Sequence, residues 1–313
     1  MGDTFTKIIE KLSKDINNKQ TSLCIGTFDG VHSGHKKLFS ELINVSNKNR
    51  SLPVVFVFKK RPREIINEKL SRPYILPFEN RLDKIKDSSL EKVIEIDFDK
   101  KLQNLSSEEF LKTLKEKINL KSLIASVNTR IGRDQANGDD LDNICKNLNI
   151  DFHQIDMRSD NKKIISSSNI SNLIAEGNIE EANSMLVENF YFKGNVVQGD
   201  KLGRTIGFPT ANILVDENLQ LPGDGVFAVF VEIENENYLG ALSIGIRPVI
   251  KNDDSRKIEV YILDFNKDIY DKDVKIKVIK KIRNQIKYDS LEELKVQIKK
   301  DIKEIKKILN NAK

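Results

Sequence analysis

Two of the chain's three histidines, His32 and His35, stand one helical turn apart within IGTFDGVHSGHKKL, residues 25–38, among Gly26, Phe28, Asp29, Gly30 and Gly34. These residue types suit anion chemistry. A glycine-rich turn that leaves a strand and opens a helix presents backbone N–H groups without intrahelical partners and the positive end of the helix dipole, a combination that holds phosphate. Imidazoles at i and i+3 can face one phosphate, Gly34 between them keeps a Cβ out of the approach, and Asp29 can order the loop or a metal. Two surface histidines beside a turn would give the same letters by chance, but in so histidine-poor a chain that is the weaker reading.

A second stretch, GDKLGRTIGFPTANI at residues 199–213, places Gly199, Gly203 and Gly207 ahead of Thr210 and Asn212. Backbone amides of such a loop can wrap phosphates, and a hydroxyl with a carboxamide offers oxygens to a hard cation such as Mg²⁺. The bland alternative is a glycine-rich hairpin ending in a Pro-Thr turn.

The elements needed to hold these stretches are legible around them. An apolar run at 22–25 ends at Gly26, and Leu38, Leu42 and Val45 follow at helical spacing, so strand, loop and helix are expected. PVVFVF (53–58), VIEID (93–97) and SLIAS (122–126) read as further strands. They alternate with helical patterns, notably 107–118 with Ser107 as its cap and Phe110, Leu111, Leu114 and Ile118 on one face. Alternation of this kind predicts an α/β, Rossmann-like domain with a parallel sheet. From about residue 189 the runs GNVV, GVFAVFVEI, YLGALSIG, IEVYILDF and VKIKVIKKI are separated by turn residues and predict an antiparallel β-barrel. A C-terminal helix follows, with Ser290 and Glu293 as a capping box and Leu291, Leu294, Ile298, Ile302, Ile305 and Leu309 as a stripe against the barrel. The expected domains are 1–188 and 189–313.

Composition narrows the class. A length of 313 residues suits two domains, and with 39% hydrophobic residues and no apolar run near the roughly 20 needed to span a bilayer, no membrane segment is expected. The N-terminus has no secretory pattern, so the cytoplasm is the expected location. Cys24 and Cys145 are too isolated for a disulfide framework or zinc ribbon and read as small buried hydrophobes. A net charge of +5 is the difference between 52 basic and 47 acidic side chains that are interspersed, which argues against nucleic acid. Clusters such as Lys59-Lys60-Arg61 and Lys299-Lys300 read as solvated faces. No oligomeric state is legible.

The pattern G-x-F-D-G-x-H-x-G-H resembles the nucleotidylyltransferase signature as carried by bacterial bifunctional riboflavin kinase/FMN adenylyltransferases, the FAD synthetases. The stretch G-x-x-x-G-R-x-x-G-x-P-T-A-N is similar to the flavokinase signature, and GVFA (225–228), SIGIRP (243–248), IEVYILDF (258–265) and KIRNQIKY (281–288) resemble that family's later segments. The resemblance implies a nucleotidylyltransferase-like domain followed by a flavokinase barrel. ATP is then the co-substrate of both reactions, Mg²⁺ the cofactor, riboflavin and FMN the other partners, with neither nucleic acid nor membrane involved. On the first domain it implies that His32 and His35 contact ATP phosphates and stabilise departing pyrophosphate, with Gly26, Phe28, Asp29, Gly30, Gly34, Ser167 and Ser168 around them. On the second it implies phosphate contacts from Gly199, Gly203, Arg204, Gly207 and Asn212, metal on Thr210 and Asn212, and Glu259 as general base. A carboxylate there can take the proton of an alcohol as it attacks the γ-phosphate, although a lone Glu in a strand more often faces solvent. Asn128 and Arg283 would lie on the flavin side, with a surface arginine as the plainer reading of Arg283.

Three stretches depart from the family pattern. SVNTRIG (126–132) keeps Asn128 and Gly132 but has Thr129 and Ile131 where the family has aromatics. SSSNIS (166–171) has Ser171 where an arginine would bind phosphate, and Arg61 stands at the place of a family histidine. Either neighbouring cations such as Arg61, Arg130 or Arg133 compensate, or adenylyl transfer is weakened. The expected function is riboflavin phosphorylation to FMN followed by adenylylation to FAD. The alternative is a riboflavin kinase with a degenerate or regulatory N-terminal domain.

Overall fold

A computed structural model describes residues 4–90, 92–157, 165–199, 202–246 and 256–312. It divides into two compact units, Met1–Arg72 with Pro77–Ser167, and Pro73–Leu76 with Ser168–Lys313. The break thus falls about a helix pair earlier than the expected 188/189. Among the described residues, no helix is long and apolar enough to cross a membrane.

The first unit runs α1 (Thr4–Asp15), β1 (Thr21–Gly26), α2 (Ser33–Asn49), β2 (Leu52–Phe58), α3 (Pro62–Ile66), α4 (Phe78–Lys86), β3 (Lys92–Ile96), α5 (Lys100–Asn104), α6 (Ser107–Ile118), β4 (Leu120–Ser126), α7 (Gly138–Asn147) and β5 (Asp151–Ile155). Its sheet is parallel, in the order β3-β2-β1-β4-β5. Strand side chains alternate between faces, so Leu23, Val54, Phe56 and Leu123 enter a core with α1, α6 and α7, while Cys24, Val55, Val57 and Ile124 enter a second core with α2 and α4. Burial on both faces is why PVVFVF is continuously apolar. The predicted strands and the helix at 107–118 are present, but Ser107 is not the cap. Ser106 is the N-cap and forms a capping box with Glu109, because the Ser107 hydroxyl donates to Asp134 Oδ2 at 2.6 Å. Gly132, the glycine kept from the family pattern, serves this contact, since a Cβ there would stand 2.2 Å from the Ser107 nitrogen.

In the second unit, α8 (Ser167–Glu176) and α9 (Ile179–Met185) lead into β6 (Tyr191–Val197), α10 (Leu202–Thr205), β7 (Ala211–Leu214), β8 (Gly225–Ile233), β9 (Glu236–Ile246), β10 (Arg256–Ile262), β11 (Asp273–Arg283) and α11 (Leu291–Asn311). The strands close a barrel in the order β10-β7-β6-β11-β8-β9. Phe227, Val229, Val260 and Ile276 are buried in the barrel, while Ala228 packs with Ile305 and Leu309 of α11, so GVFAVFVEI is apolar on both faces. Ser290 caps α11, accepting from the Glu293 nitrogen at 3.2 Å, but the cap lacks the return bond of the expected capping box, and Leu291 of the predicted stripe is exposed. Helices α8 and α9 join this unit through hydrogen bonds to its backbone. Asn183 donates to the Val278 carbonyl at 3.0 Å and accepts from the Phe190 nitrogen at 2.7 Å, and the Gly223 nitrogen donates to the Ile174 carbonyl at 3.2 Å.

Candidate functional site

In the first unit the strand order reverses at β1, and its C-terminal end delivers the chain into the histidine loop, the position at which open α/β sheets take ligands. The loop is a strained piece of backbone. Phe28 (φ 52°), Gly30 (φ 77°) and Val31 (φ 40°) all occupy left-handed conformations, which for a β-branched valine persists only where the surroundings enforce it. Two buried arginines supply that enforcement. Arg81 donates to the Thr27 carbonyl at 2.8 Å and the Lys59 carbonyl at 2.9 Å, and Arg61 pairs with Asp29 at 2.6 Å and with Glu64. Ser167 adds a hydrogen bond from its hydroxyl to the Asp29 carbonyl at 2.9 Å.

His32 is the N-cap of α2, and the cap is reciprocal. The His35 nitrogen donates to His32 Nδ1 at 3.4 Å, and the His32 nitrogen donates to His35 Nδ1 at 3.3 Å. The rings stack at a centroid distance of 3.6 Å, and Phe28 meets His35 edge-on at 5.2 Å. Burial pushes the His32 pKa down to about 3, and burial together with neighbouring His32 holds His35 well below its ordinary value. Both rings are therefore neutral. A neutral imidazole whose Nδ1 accepts must carry its hydrogen on Nε2, so the cap fixes both tautomers as Nε2–H donors. Such a pair can hydrogen-bond an anionic oxygen without the desolvation cost of a buried cation.

Several expectations change here. Gly34 also answers a packing need, because a Cβ at that position would stand 2.8 Å from Met157 Cε and 3.2 Å from His32 Nδ1. Its smallness lets the ring stack and Met157 fit. Asp29 orders the loop through Arg61. Arg61, read as part of a solvated cluster, is buried at 5% exposure. Burial alone would lower its pKa, but Asp29 and Glu64 more than offset that and the net shift is upward. Ser171 sits in α8 at 6% exposure and donates to Gln220 Oε1 at 2.7 Å, so the place of the family's arginine is occupied by a packed hydroxyl. Arg130 donates to the carbonyl of Thr129 at 3.3 Å and is exposed. Ser168 stands in the first turn of α8, and Asn128 lies exposed in the turn after β4, at the same edge of the sheet as the histidine loop.

In the second unit, Thr210 and Glu259 meet at 3.5 Å, and the register of β10 against β7 places Glu259 opposite Asn212. The glycines face this group. A Cβ on Gly199 would stand 2.0 Å from Asn212 Nδ2, and one on Gly203 would stand 2.3 Å from the Phe208 carbonyl and 3.2 Å from Thr210 Oγ1. Gly207 has open space around it and is required by its φ of 86° instead, in the turn that ends α10. Arg204 is exposed on α10. Arg283 is not a free surface arginine. Its guanidinium takes both oxygens of Asp301 on α11, with Nη2 at 2.8 Å from Oδ2. Asp200, Lys201, Arg247 and Pro248 lie outside the described residues. Among those described, no group of three or more His, Cys, Asp or Glu forms a metal cluster. Thr210 and Asn212 could hold a cation through neutral oxygens, a donor set that suits Mg²⁺ completed by phosphates and water.

Sequence reasoning missed Arg81 entirely, since an arginine in a polar helix carries no local mark of burial. It read Arg61 by its lysine neighbours.

A parallel sheet with a histidine-capped loop at its switch point, joined to a barrel with Asn and Glu on adjoining strands and Thr just before the first of them, defines a two-domain phosphate-transferring enzyme. The family model for FAD synthetase matches residues 14–169, and that for riboflavin kinase matches residues 186–309. A bifunctional riboflavin kinase/FMN adenylyltransferase of Buchnera aphidicola subsp. Schizaphis graminum is 35% identical, covering 94% of this chain and 95% of its own. The protein of the same name in Bacillus subtilis is 30% identical, covering 93% of each chain. A crystal structure described as a macrolide-efflux protein from Streptococcus pneumoniae superposes with a TM-score of 0.81 at 31% identity, covering 93% of this chain and 95% of that one. The chain belongs to the bifunctional riboflavin kinase/FMN adenylyltransferase family.

Proposed function

We propose that the two candidate centres divide the family's two reactions, the barrel phosphorylating riboflavin and the α/β unit adenylylating the FMN produced, with ATP as co-substrate of both. In the barrel, Glu259 takes the proton of the riboflavin 5′-hydroxyl as its oxygen attacks the γ-phosphorus, and ADP departs. Amides of the loop that includes Gly199, Gly203 and Gly207, with Arg204, cradle the phosphates. Thr210 and Asn212 would hold Mg²⁺, which when bound supplies positive charge to the phosphate oxygens. In the α/β unit the nucleophile is already a phosphate, so no protein base is needed. A phosphate oxygen of FMN attacks the α-phosphorus and pyrophosphate leaves. His32 and His35 donate Nε2–H bonds to the oxygens that gain charge, and the loop held by Asp29, Arg61 and Arg81 keeps those donors in place before reaction, as electrostatic preorganisation requires. In this reading Asn128 lies on the flavin side and Ser167 at the nucleotide. Arg283, expected on the flavin side, also joins β11 to α11 through Asp301. An ATP-fuelled reaction also fits work in the cytoplasm.

The observation that carries this reading is the reciprocal histidine cap, which fixes two neutral donors in a chain that also holds the Thr210–Glu259 pair. Incubation of purified protein with riboflavin, ATP and Mg²⁺, followed by chromatography, should yield FMN and then FAD. FMN without FAD above a no-enzyme control, and with no pyrophosphate released from added FMN and ATP, would overturn the adenylyl-transfer half.

A further inference from the structure

Phe208 lies inside the glycine stretch of the barrel, and none of these roles uses it. It is where that loop closes. The Phe208 nitrogen donates to the Gly203 carbonyl at 2.8 Å, the Gly207 nitrogen donates to the Arg204 carbonyl at 3.2 Å, and a Cβ on Gly203 would meet the Phe208 carbonyl. The Phe208 ring meets Tyr261 of β10 edge-on, with ring centroids 5.6 Å apart and planes at 88°. Tyr261 stands two residues after Glu259. Ile258, Val260 and Ile262 are buried, so Glu259 and Tyr261 share the opposite, half-buried face of the strand, roughly 6.5–7 Å apart along it.

The stretch 208–210 therefore touches this face of β10 twice, by Phe208 on Tyr261 and by Thr210 on Glu259. At 3.5 Å the second contact is a weak hydrogen bond, whereas an edge-to-face ring pair prefers one separation and one orientation. We propose that Phe208 and Tyr261 are positioning residues of the kinase centre, and that their contact docks the loop cradling the ATP phosphates on the strand that carries the base. The inference rests on the reading above, in which that loop holds ATP and Glu259 takes the proton. Because the Phe208 nitrogen is tied to Gly203, displacing the ring displaces the loop amides with it. Phosphoryl transfer needs the attacking oxygen and the γ-phosphorus in line, so a shift of the loop against β10 is felt in ATP binding and in turnover.

The test assays riboflavin phosphorylation by the full chain carrying Phe208→Ala, Tyr261→Ala, both together, or Tyr261→Phe, with FAD formation from added FMN as the control for the α/β unit. Each alanine variant should lose about three- to tenfold in kcat/KM for ATP, the range that one edge-to-face pair supplies. KM for ATP should rise, while KM for riboflavin stays within about twofold. The double variant should lose no more than the worse single one, because both substitutions remove the same contact. Tyr261→Phe returns the ring and should restore the parent values. Parent kinetics in Tyr261→Ala overturns the docking. Losses that multiply in the double variant also overturn it, since they mean that each ring acts alone, and so does a fall in kcat with KM for ATP unchanged, the mark of a smaller folded fraction. Where an alanine chain does not fold, leucine at both positions keeps the apolar bulk, loses the edge-on geometry and should give the same non-additivity. Glu259→Gln separates the two levels: a full rate removes the base and the docking with it, whereas an inactive Glu259→Gln beside a Tyr261→Ala of parent kinetics overturns the docking alone.

Discussion

His32 and His35 are chosen less for their charge than for what they do uncharged. Each ring closes the other's backbone at the start of α2, and burial keeps both neutral. The linkage has a definite sign. His32 has a folded pKa of about 3 against an ordinary 6.5, so between those values the unfolded chain binds a proton that the folded chain excludes. Its contribution to stability is complete above pH 6.5 and is lost as pH falls below it. From pH 7 to pH 5 the loss should be of the order of 2 kcal/mol. His32→Asn keeps an acceptor at the N-cap and removes the titrating ring. In scanning calorimetry at the two pH values, the first unit's transition should shift down with acid in the parent and shift less in the variant; equal shifts would refute the linkage. The histidine pair itself is legible in the sequence as a candidate phosphate site because it sits beside glycines in a strand-to-helix turn. Its mutual capping is not, because ring orientation depends on Phe28 and Met157, which pack from different parts of the chain.

At the scale of elements, periodicity sufficed wherever one face or both met a core. The strands β1, β2 and β4, helix α6 and most barrel strands follow from apolar runs, and α11 from its stripe and Ser290 cap. What periodicity does not carry is allegiance between elements. Nothing in residues 168–188 says that α8 and α9 pack with the barrel rather than with the sheet before them, because Asn183 reaches Val278 by a hydrogen bond, and Gly223 meets Ile174, over long sequence distances. A Cβ on Gly223 would stand 2.2 Å from the Ala175 carbonyl, so this docking is close backbone packing without an apolar signature. Asn183→Ala should destabilise the second unit by about 1–3 kcal/mol, through two partly buried backbone groups left unpaired. Calorimetry should show the barrel transition falling while that of the α/β unit stays; a fall in both, or neither, would contradict the assignment of α9.

At the scale of the whole molecule, the two activities are separable by single substitutions and recoverable by mixing. His35→Ala should lower FAD formation from FMN by roughly 10²–10³, as for loss of one preorganised donor, and leave FMN formation intact. Glu259→Gln should do the reverse. Neither protein alone should then convert riboflavin to FAD efficiently, whereas the two together should, through FMN released into solution. Failure of the mixture, with each variant active in its remaining half, would mean that FMN does not leave the chain that makes it.

The chain passes between its two units three times, at 72/73, 76/77 and 167/168, because Pro73–Leu76 belongs with the barrel. Those four residues contribute main-chain pairing: the Tyr74 nitrogen donates to the Asn218 carbonyl at 2.7 Å, and the Gln220 nitrogen donates to the Tyr74 carbonyl at 2.8 Å. Gln220 is also the residue that receives the Ser171 hydroxyl. Splitting the gene at codon 168 would therefore not yield two self-sufficient products. The downstream polypeptide would lack a strip of its own edge, the upstream one would carry that strip away, and a lineage separating the two activities would first have to rebuild residues 218–220.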